Sequence, residues 1–361
     1  MLREAWQYLL SRPLNLLLVA FPLLIGLELA HAGPVWLFIV SSLAIVPLAG
    51  VLGDATEEVA GRMGPVGGGL LSGTLGNATE LIIAVMAVRA GEIEVVKASI
   101  TGSILGNLLL VFGLSLLVGG FDREKQTFDR TNAGINTTML MLAVCGLVMP
   151  AVFDLVTYGK LESNTEAVQK LSLWTAAVLM GTYLLSFVFS FKTHKHLFGS
   201  HESHTLSAMS QKTAITLMAV ATVLIAFASE VLVGQIEHAT KALGMTKFFV
   251  GMIVVAVVGN AAEHSAAVVA ARKDKMDLSI TIAVGSSVQI ALLVAPLLVF
   301  VSYALGHPMT LEFNGFEIAA TILSVLIVGM VALDGESNWF EGVQLLATYI
   351  ILAIAFFFVP G

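Results

Sequence analysis

Gly76-Asn77-Ala78-Thr79-Glu80 and Gly259-Asn260-Ala261-Ala262-Glu263 are one short motif written twice, each time inside an otherwise apolar run. A carboxylate in the middle of a membrane-spanning helix costs roughly 3 kcal/mol or more to insert, so such residues persist where something uses them. Sliding the chain by 183 residues without a gap lays Gly76–Val111 on Gly259–Val294, and 13 of the 36 positions agree. The agreement includes Asn77, Glu80, Arg89 and the Gly102-Ser103 pair, which two unrelated apolar helices have no reason to share. An internal duplication is the reading that accounts for it.

Outward from that pair, the chain reads as a polytopic membrane protein. Over 361 residues it is 57% hydrophobic and 12% charged, about half the charged fraction of an ordinary soluble domain. Most of it falls into runs of about 20 residues, the length that crosses a bilayer. A soluble protein with a very apolar core would not be cut at that length. Cys145 is the single cysteine, which excludes an intrachain disulfide and a multi-cysteine metal cluster. The net charge of -7 says little, because topology follows Lys and Arg and not the acids.

The spacing predicts eleven helices near 14–30, 35–53, 66–90, 95–119, 133–153, 172–191, 212–238, 245–271, 277–305, 314–333 and 338–359. With the N-terminus cytoplasmic, twelve Lys and Arg fall inside and six outside, which favours that orientation. Five steps separate the third span, with Glu80, from the eighth, with Glu263. An odd number of steps reverses direction, so the copies would cross the membrane in opposite senses. That is the architecture on which many secondary transporters build alternating access around a midplane site. The expected division is an N-terminal helix (1–34), a five-helix repeat (35–191), a cytoplasmic linker (192–211) and a second five-helix repeat (212–361).

Positions three apart share a helix face, so Asn77 stands with Glu80 and Asn260 with Glu263. The following spans add Ser103 and Asn107 in one copy and Ser286 and Gln289 in the other. Two carboxylates among amide and hydroxyl oxygens make a cage for a hard divalent cation, Ca²⁺ above Mg²⁺, which holds its waters and wants a tighter octahedron. Two facing carboxylates in a low-dielectric site cannot both stay ionised once the cation leaves. Protons would then replace it, and the pair would titrate as a unit. A purely structural pair of carboxylates is the plainer alternative, and the repetition with Asn argues against it. His264 lies about 100° round the helix from Glu263; it either relays protons and tunes that carboxylate or simply packs.

Glu57, Glu58 and Glu230 lie in or near the spans preceding the repeat helices. They read either as an acidic approach for cations or as solvated helix ends. The linker holds His194, His196, His201 and His204, read as a solvated connector in preference to a metal or pH sensor.

Gly-Asn-Ala-Thr-Glu-Leu at 76–81, Gly-Ser-Ile-Leu-Gly-Asn-Leu-Leu-Leu at 102–110, Gly-Asn-Ala-Ala-Glu-His at 259–264 and Gly-Ser-Ser-Val-Gln-Ile-Ala at 285–291 resemble the two signature repeats of the Ca²⁺/H⁺ antiporter (CAX) family, over about residues 35–359. The resemblance implies eleven spans, an N-terminal helix outside two inverted repeats, and Ca²⁺ export driven by protons. Glu80 and Glu263 would be the central ligands and proton carriers. Sodium/calcium relatives carry a Gly-Thr-Ser-x-Pro-Glu sequence where this chain has Asn-Ala-Thr-Glu and Asn-Ala-Ala-Glu, which favours protons over Na⁺. Many family members have an acidic linker between the sixth and seventh spans; here Glu202 is its one acid. A Na⁺/Ca²⁺ or other divalent cation exchanger of the same fold is the alternative. An intramembrane enzyme would need a nucleophile or a His-Glu-x-x-His motif, and the sequence has none. The expected partners are Ca²⁺, H⁺ and lipid, with no resident cofactor, no nucleic acid, and a homo-oligomer left open. The short termini point to a prokaryotic plasma membrane.

Overall fold

The computed structural model describes residues 4, 5, 8, 9, 12–161, 165–194 and 209–359. Among these the protein is helical nearly throughout. The elements are α1 (Pro13–Leu29), α2 (Pro34–Arg62), α3 (Gly64–Leu75), α4 (Ala78–Arg89), α5 (Ile93–Gly120), α6 (Arg130–Tyr158), α7 (Glu166–Thr193), α8 (Gln211–Leu243), α9 (Lys247–Arg272), α10 (Met276–Ala304), α11 (Gly315–Val331) and α12 (Trp339–Phe357). Eight are long and apolar enough to cross a membrane, α3 and α4 together make a ninth bent by 44°, and α1 and α11 are shorter apolar helices. Large apolar side chains such as Leu185, Val223, Ile351 and Phe358 lie exposed on the outside, as a lipid-facing surface requires.

Helix ends follow local chemistry. Asn314 and Asn338 each cap a helix and receive a glutamate in return, Glu317 and Glu341, forming capping boxes that satisfy otherwise orphaned amides. Glu317 is therefore a helix-start residue. The span expected at 35–53 runs on to Arg62, because Asp54-Ala55-Thr56-Glu57-Glu58 favours helix and the break comes only at Gly64, whose φ is +74°. The span expected at 66–90 is instead two helices, parted at Gly76-Asn77.

α5 and α10 run through the middle, with Leu108, Leu109 and Phe112 of α5 and Leu292, Ala295 and Leu298 of α10 fully buried. Each carries a π turn, at Gly106–Val111 and Ile290–Val294, places that lie 183 residues apart to within one residue. Such turns gather at functional sites because they re-aim the side chains beside them. α12 packs on α5 with almost nothing between. A methyl on Gly342 would fall 2.6 Å from the Gly113 carbonyl, and one on Gly113 would fall 3.1 Å from the Gly342 carbonyl.

At one end of the bundle, β1 (Gln126–Thr127) pairs antiparallel with β2 (Glu336–Ser337). Beside it lie the ion pairs Lys125–Glu336 (2.7 Å), Arg272–Asp122 (2.8 Å) and Arg123–Asp274 (3.3 Å). The hydrogen bond and charge of Glu336 also raise the affinity of Lys125 for its proton. At the other end Lys247 pairs with Glu92 at 2.8 Å, and Lys97 donates to the Glu312 carbonyl at 2.7 Å.

Candidate functional site

α2, the α3–α4 junction, α9 and α10 enclose a cavity of about 740 Å³. Its wall includes Glu80, Glu263, Ser286 and Gln289, with Gly76 and Gly259 supplying the places where side-chain bulk is missing. A methyl on Gly259 would sit 3.2 Å from Cγ of Glu80. The carboxylate of one copy therefore lies over the glycine of the other, and only glycine leaves it room. Ser286 is within hydrogen-bonding reach of the Glu263 carboxylate.

Glu80 Oε1 and Glu263 Oε2 are buried with no hydrogen-bond partner, and so is Asn77 Oδ1. Buried acceptors left unmatched cost about 1–3 kcal/mol each, more when charged. Three in one neighbourhood mark a place built to receive a donor or a cation. Among the described residues, no group of three or more His, Cys, Asp or Glu is set to hold a metal. Any cation held here would use two carboxylates and neutral oxygens.

The two asparagines reach across between the copies. Asn77 Nδ2 donates to Gln289 Oε1 at 2.6 Å. Asn260 Nδ2 donates to Ser103 Oγ at 2.9 Å and to its own helix at Ala256, while Asn107 Nδ2 donates to Asn260 Oδ1 at 3.3 Å. His264 Nε2 lies 3.1 Å from Asn107 Oδ1; since that oxygen can only accept, Nε2 carries the proton. Ser103, Asn107, Asn260 and His264 thus form a hydrogen-bonded chain behind the cavity wall.

The acids outside the central pair separate. Glu57 lines the cavity. Glu58 does not; it turns about 100° further round α2 and pairs with Arg62 at 2.7 Å. Glu230 is exposed on α8 and takes no part in the cavity wall. Asp54, which the sequence reading passed over, does line it, together with Arg12, Asn15 and Thr56. The signal was present: Asp54 precedes Glu57 by three residues, and once α2 extends past Gly53 the two share a face. Of the linker histidines His194 is described, stacked on Phe189 at 4.2 Å; His196, His201 and His204 lie outside the described residues.

Comparison with known proteins agrees with this geometry. The profile of the sodium/calcium exchanger protein family matches residues 33–192 and 213–358. A Ca²⁺/H⁺ antiporter of Synechocystis is 45% identical over 368 residues, spanning 97% of this chain and 98% of its own length. The Ca²⁺/H⁺ antiporter ChaA of Bacillus subtilis is 39% identical, spanning 93% and 96%. The solved structure of native YfkE superposes with a TM-score of 0.84 at 38% identity, over 96% of this chain and all of that one.

Proposed function

The chain belongs to the sodium/calcium exchanger protein family, and from that premise we propose that it exchanges cytosolic Ca²⁺ for H⁺ by alternating access at a site built on Glu80 and Glu263. The observation that carries this reading is the pair of unpartnered, buried carboxylate oxygens, one from each copy, on the wall of one cavity. The curated relatives named above are Ca²⁺/H⁺ antiporters, transporters and not enzymes.

Ca²⁺ would take its oxygens from Glu80, Glu263, Ser286, Gln289 and Asn77. Asn260, Ser103, Asn107 and His264 would hold the second copy's helix in place from behind. Desolvated like charges cannot remain together without a cation, so departure of Ca²⁺ recruits protons to the same carboxylates, and the exchange follows. Lowering pH on the Ca²⁺-binding side should raise the apparent Kd without lowering the number of sites, and Ca²⁺ binding should release protons by a matching amount, since linkage is reciprocal.

Eleven crossings are obtained if the bent α3–α4 pair counts once and the shorter α1 and α11 also span. The two repeats then run in opposite senses, divided at the linker 192–211, and the two-block family match supports that division. With the N-terminus cytoplasmic, the cavity faces the cytosol, because the later turns of α2 and α9 and the first turns of α10 line it. We place the protein in a plasma membrane, as a carrier of Ca²⁺ and H⁺ with no resident cofactor.

The test is Ca²⁺ uptake into proteoliposomes under an imposed pH gradient. Uptake that follows the gradient and persists when choline replaces Na⁺ is the expected result. Uptake that requires Na⁺ would instead make the protein a Na⁺/Ca²⁺ exchanger.

A further inference from the structure

Arg12 stands immediately before Pro13, and the ring of Pro13 holds it extended, at φ -115° and ψ 128°. α1 thus begins with a fixed approach. Leu14 lies against α2, at ordinary contact distance from a methyl built on Gly50, and Arg12, Pro13, Leu14 and Asn15 all line the cavity. The guanidinium of Arg12 meets Asp54 Oδ1 at 2.9 Å, and Tyr8 donates to the other oxygen, Oδ2. Asp54 is 16% exposed while Arg12 is 57% exposed. The carboxylate is therefore anchored in the wall, and the cation is the partner free to swing away. Glu57 lines the same cavity one turn further along α2.

We propose that Arg12 is a specificity-determining residue for transport, a tethered cation that occupies Asp54 at the mouth of the cavity and that an arriving divalent ion must displace. This deepens the Ca²⁺/H⁺ reading and rests on it. A guanidinium cannot leave the chain, so its effective concentration at Asp54 is fixed by α1. A free monovalent ion brings no more charge than the guanidinium already there, whereas a divalent ion gains a second charge from Asp54 and Glu57 together. Arg12 lowers the attraction of the mouth for all cations and lowers it least for divalent ones. A simple anchor for α1 would instead leave cation affinity alone.

The experiment measures KM and maximal rate for Ca²⁺ at the cavity-facing side of full-length protein in proteoliposomes, with equilibrium ⁴⁵Ca²⁺ binding to the purified protein as a second readout. R12Q should lower KM roughly fivefold at low ionic strength with little change in maximal rate. The difference should shrink in high salt, and competition by K⁺ should rise. R12K should resemble the wild type. In a D54N background, itself raised in KM, R12Q should have no further effect. To separate charge from folding, R12C in a C145S background is modified after purification with a cationic or a neutral thiol reagent; only the cationic adduct should restore the wild-type KM. A fall in maximal rate with unchanged KM, or equal effects of the two adducts, would overturn the proposal and make Arg12 an anchor. An R12Q effect that persists in D54N would overturn the assignment to Asp54. A wild type that binds and moves no Ca²⁺ would overturn the underlying reading instead, and that outcome is seen before any variant is compared.

Discussion

The two copies of the repeated motif are almost the same sequence in two different settings. At Gly76-Asn77 the helix is broken, with α3 and α4 meeting at 44°, while Gly259-Asn260 runs unbroken inside α9. On the unbroken side the backbones are pressed together: a methyl on Gly102 of α5 would fall 1.9 Å from the Met252 carbonyl, and one on Gly251 would fall 2.8 Å from that of Val95. The matching glycine of the other copy, Gly285, has nothing within 4 Å. There α3 has left α10 and leans elsewhere. Gly68 lies against the Ala60 carbonyl, Gly69 under the ring of Phe191, and Gly73 beside Phe187 and Tyr183, with Tyr183 donating to the Gly73 carbonyl at 3.0 Å. The cavity is the space that α3 gave up. Residues this similar do not choose between the two arrangements; their neighbours do, and that is what a two-state element requires.

The largest expected effect tests whether the copies are equal where they converge. Glu80→Gln and Glu263→Gln should each abolish exchange, by about 100-fold or more, with each protein still monodisperse in detergent, because Gln keeps the shape and removes both the charge and the titratable proton. Near-normal uptake by either variant would break the symmetry of the site.

Next comes the pair that differs most. Gly102→Ala should destabilise by about 1–3 kcal/mol, since its methyl overlaps a backbone carbonyl, and Gly285→Ala should lie within about 0.5 kcal/mol of wild type, both read as thermal midpoints. Gly285→Ala should nevertheless slow turnover roughly threefold, since α3 has to return to that position in the cycle. Equal midpoints for the two would mean that the asymmetry is not a property of the folded protein in solution.

Phe191→Ala removes the ring that holds Gly69. The gate then closes more readily, and a cysteine at Ser72 on the cavity wall, in a C145S background, should react about twofold more slowly with a hydrophilic thiol reagent. Faster reaction would show that the ring restrains opening instead. Smallest of all, replacing His194, His196, His201 and His204 by Ser should change maximal transport less than about twofold, because the linker lies outside the contrast between the copies; a large shift in Ca²⁺ activation would make it a regulator.

The central pair was legible because a buried carboxylate is costly enough to leave a mark: Glu80 and Glu263 stand out from apolar surroundings, and the offset of 183 ties them together. The break at Gly76-Asn77 was not legible, since the same two residue types at 259–260 sit in continuous helix. What differs is the aromatic ridge Tyr183–Phe187–Phe191, more than a hundred residues away in sequence. Asp54 was lost when the second span was ended at Gly53. Glu58 and Glu230 were carried as vestibule acids because sequence gives composition near a span end, whereas the facing of one turn sends Glu58 to Arg62. Ser103, Asn107 and Asn260 have ligand chemistry, yet their hydrogen bonds to one another commit them behind the wall.

The close approach of α12 to α5 bears on how the protein is made. Gly342 leaves the ribosome 229 residues after Gly113, roughly 10–45 s later at about 5–20 residues per second, and until then the groove on α5 around Gly113 faces lipid. The first half of the chain is therefore finished by the last helix of the second. We expect removal of α12 to injure the half to which it does not belong, leaving α5 with an open seam for the cell's membrane proteases to find, and biosynthesis of this protein to be surveyed at its final span.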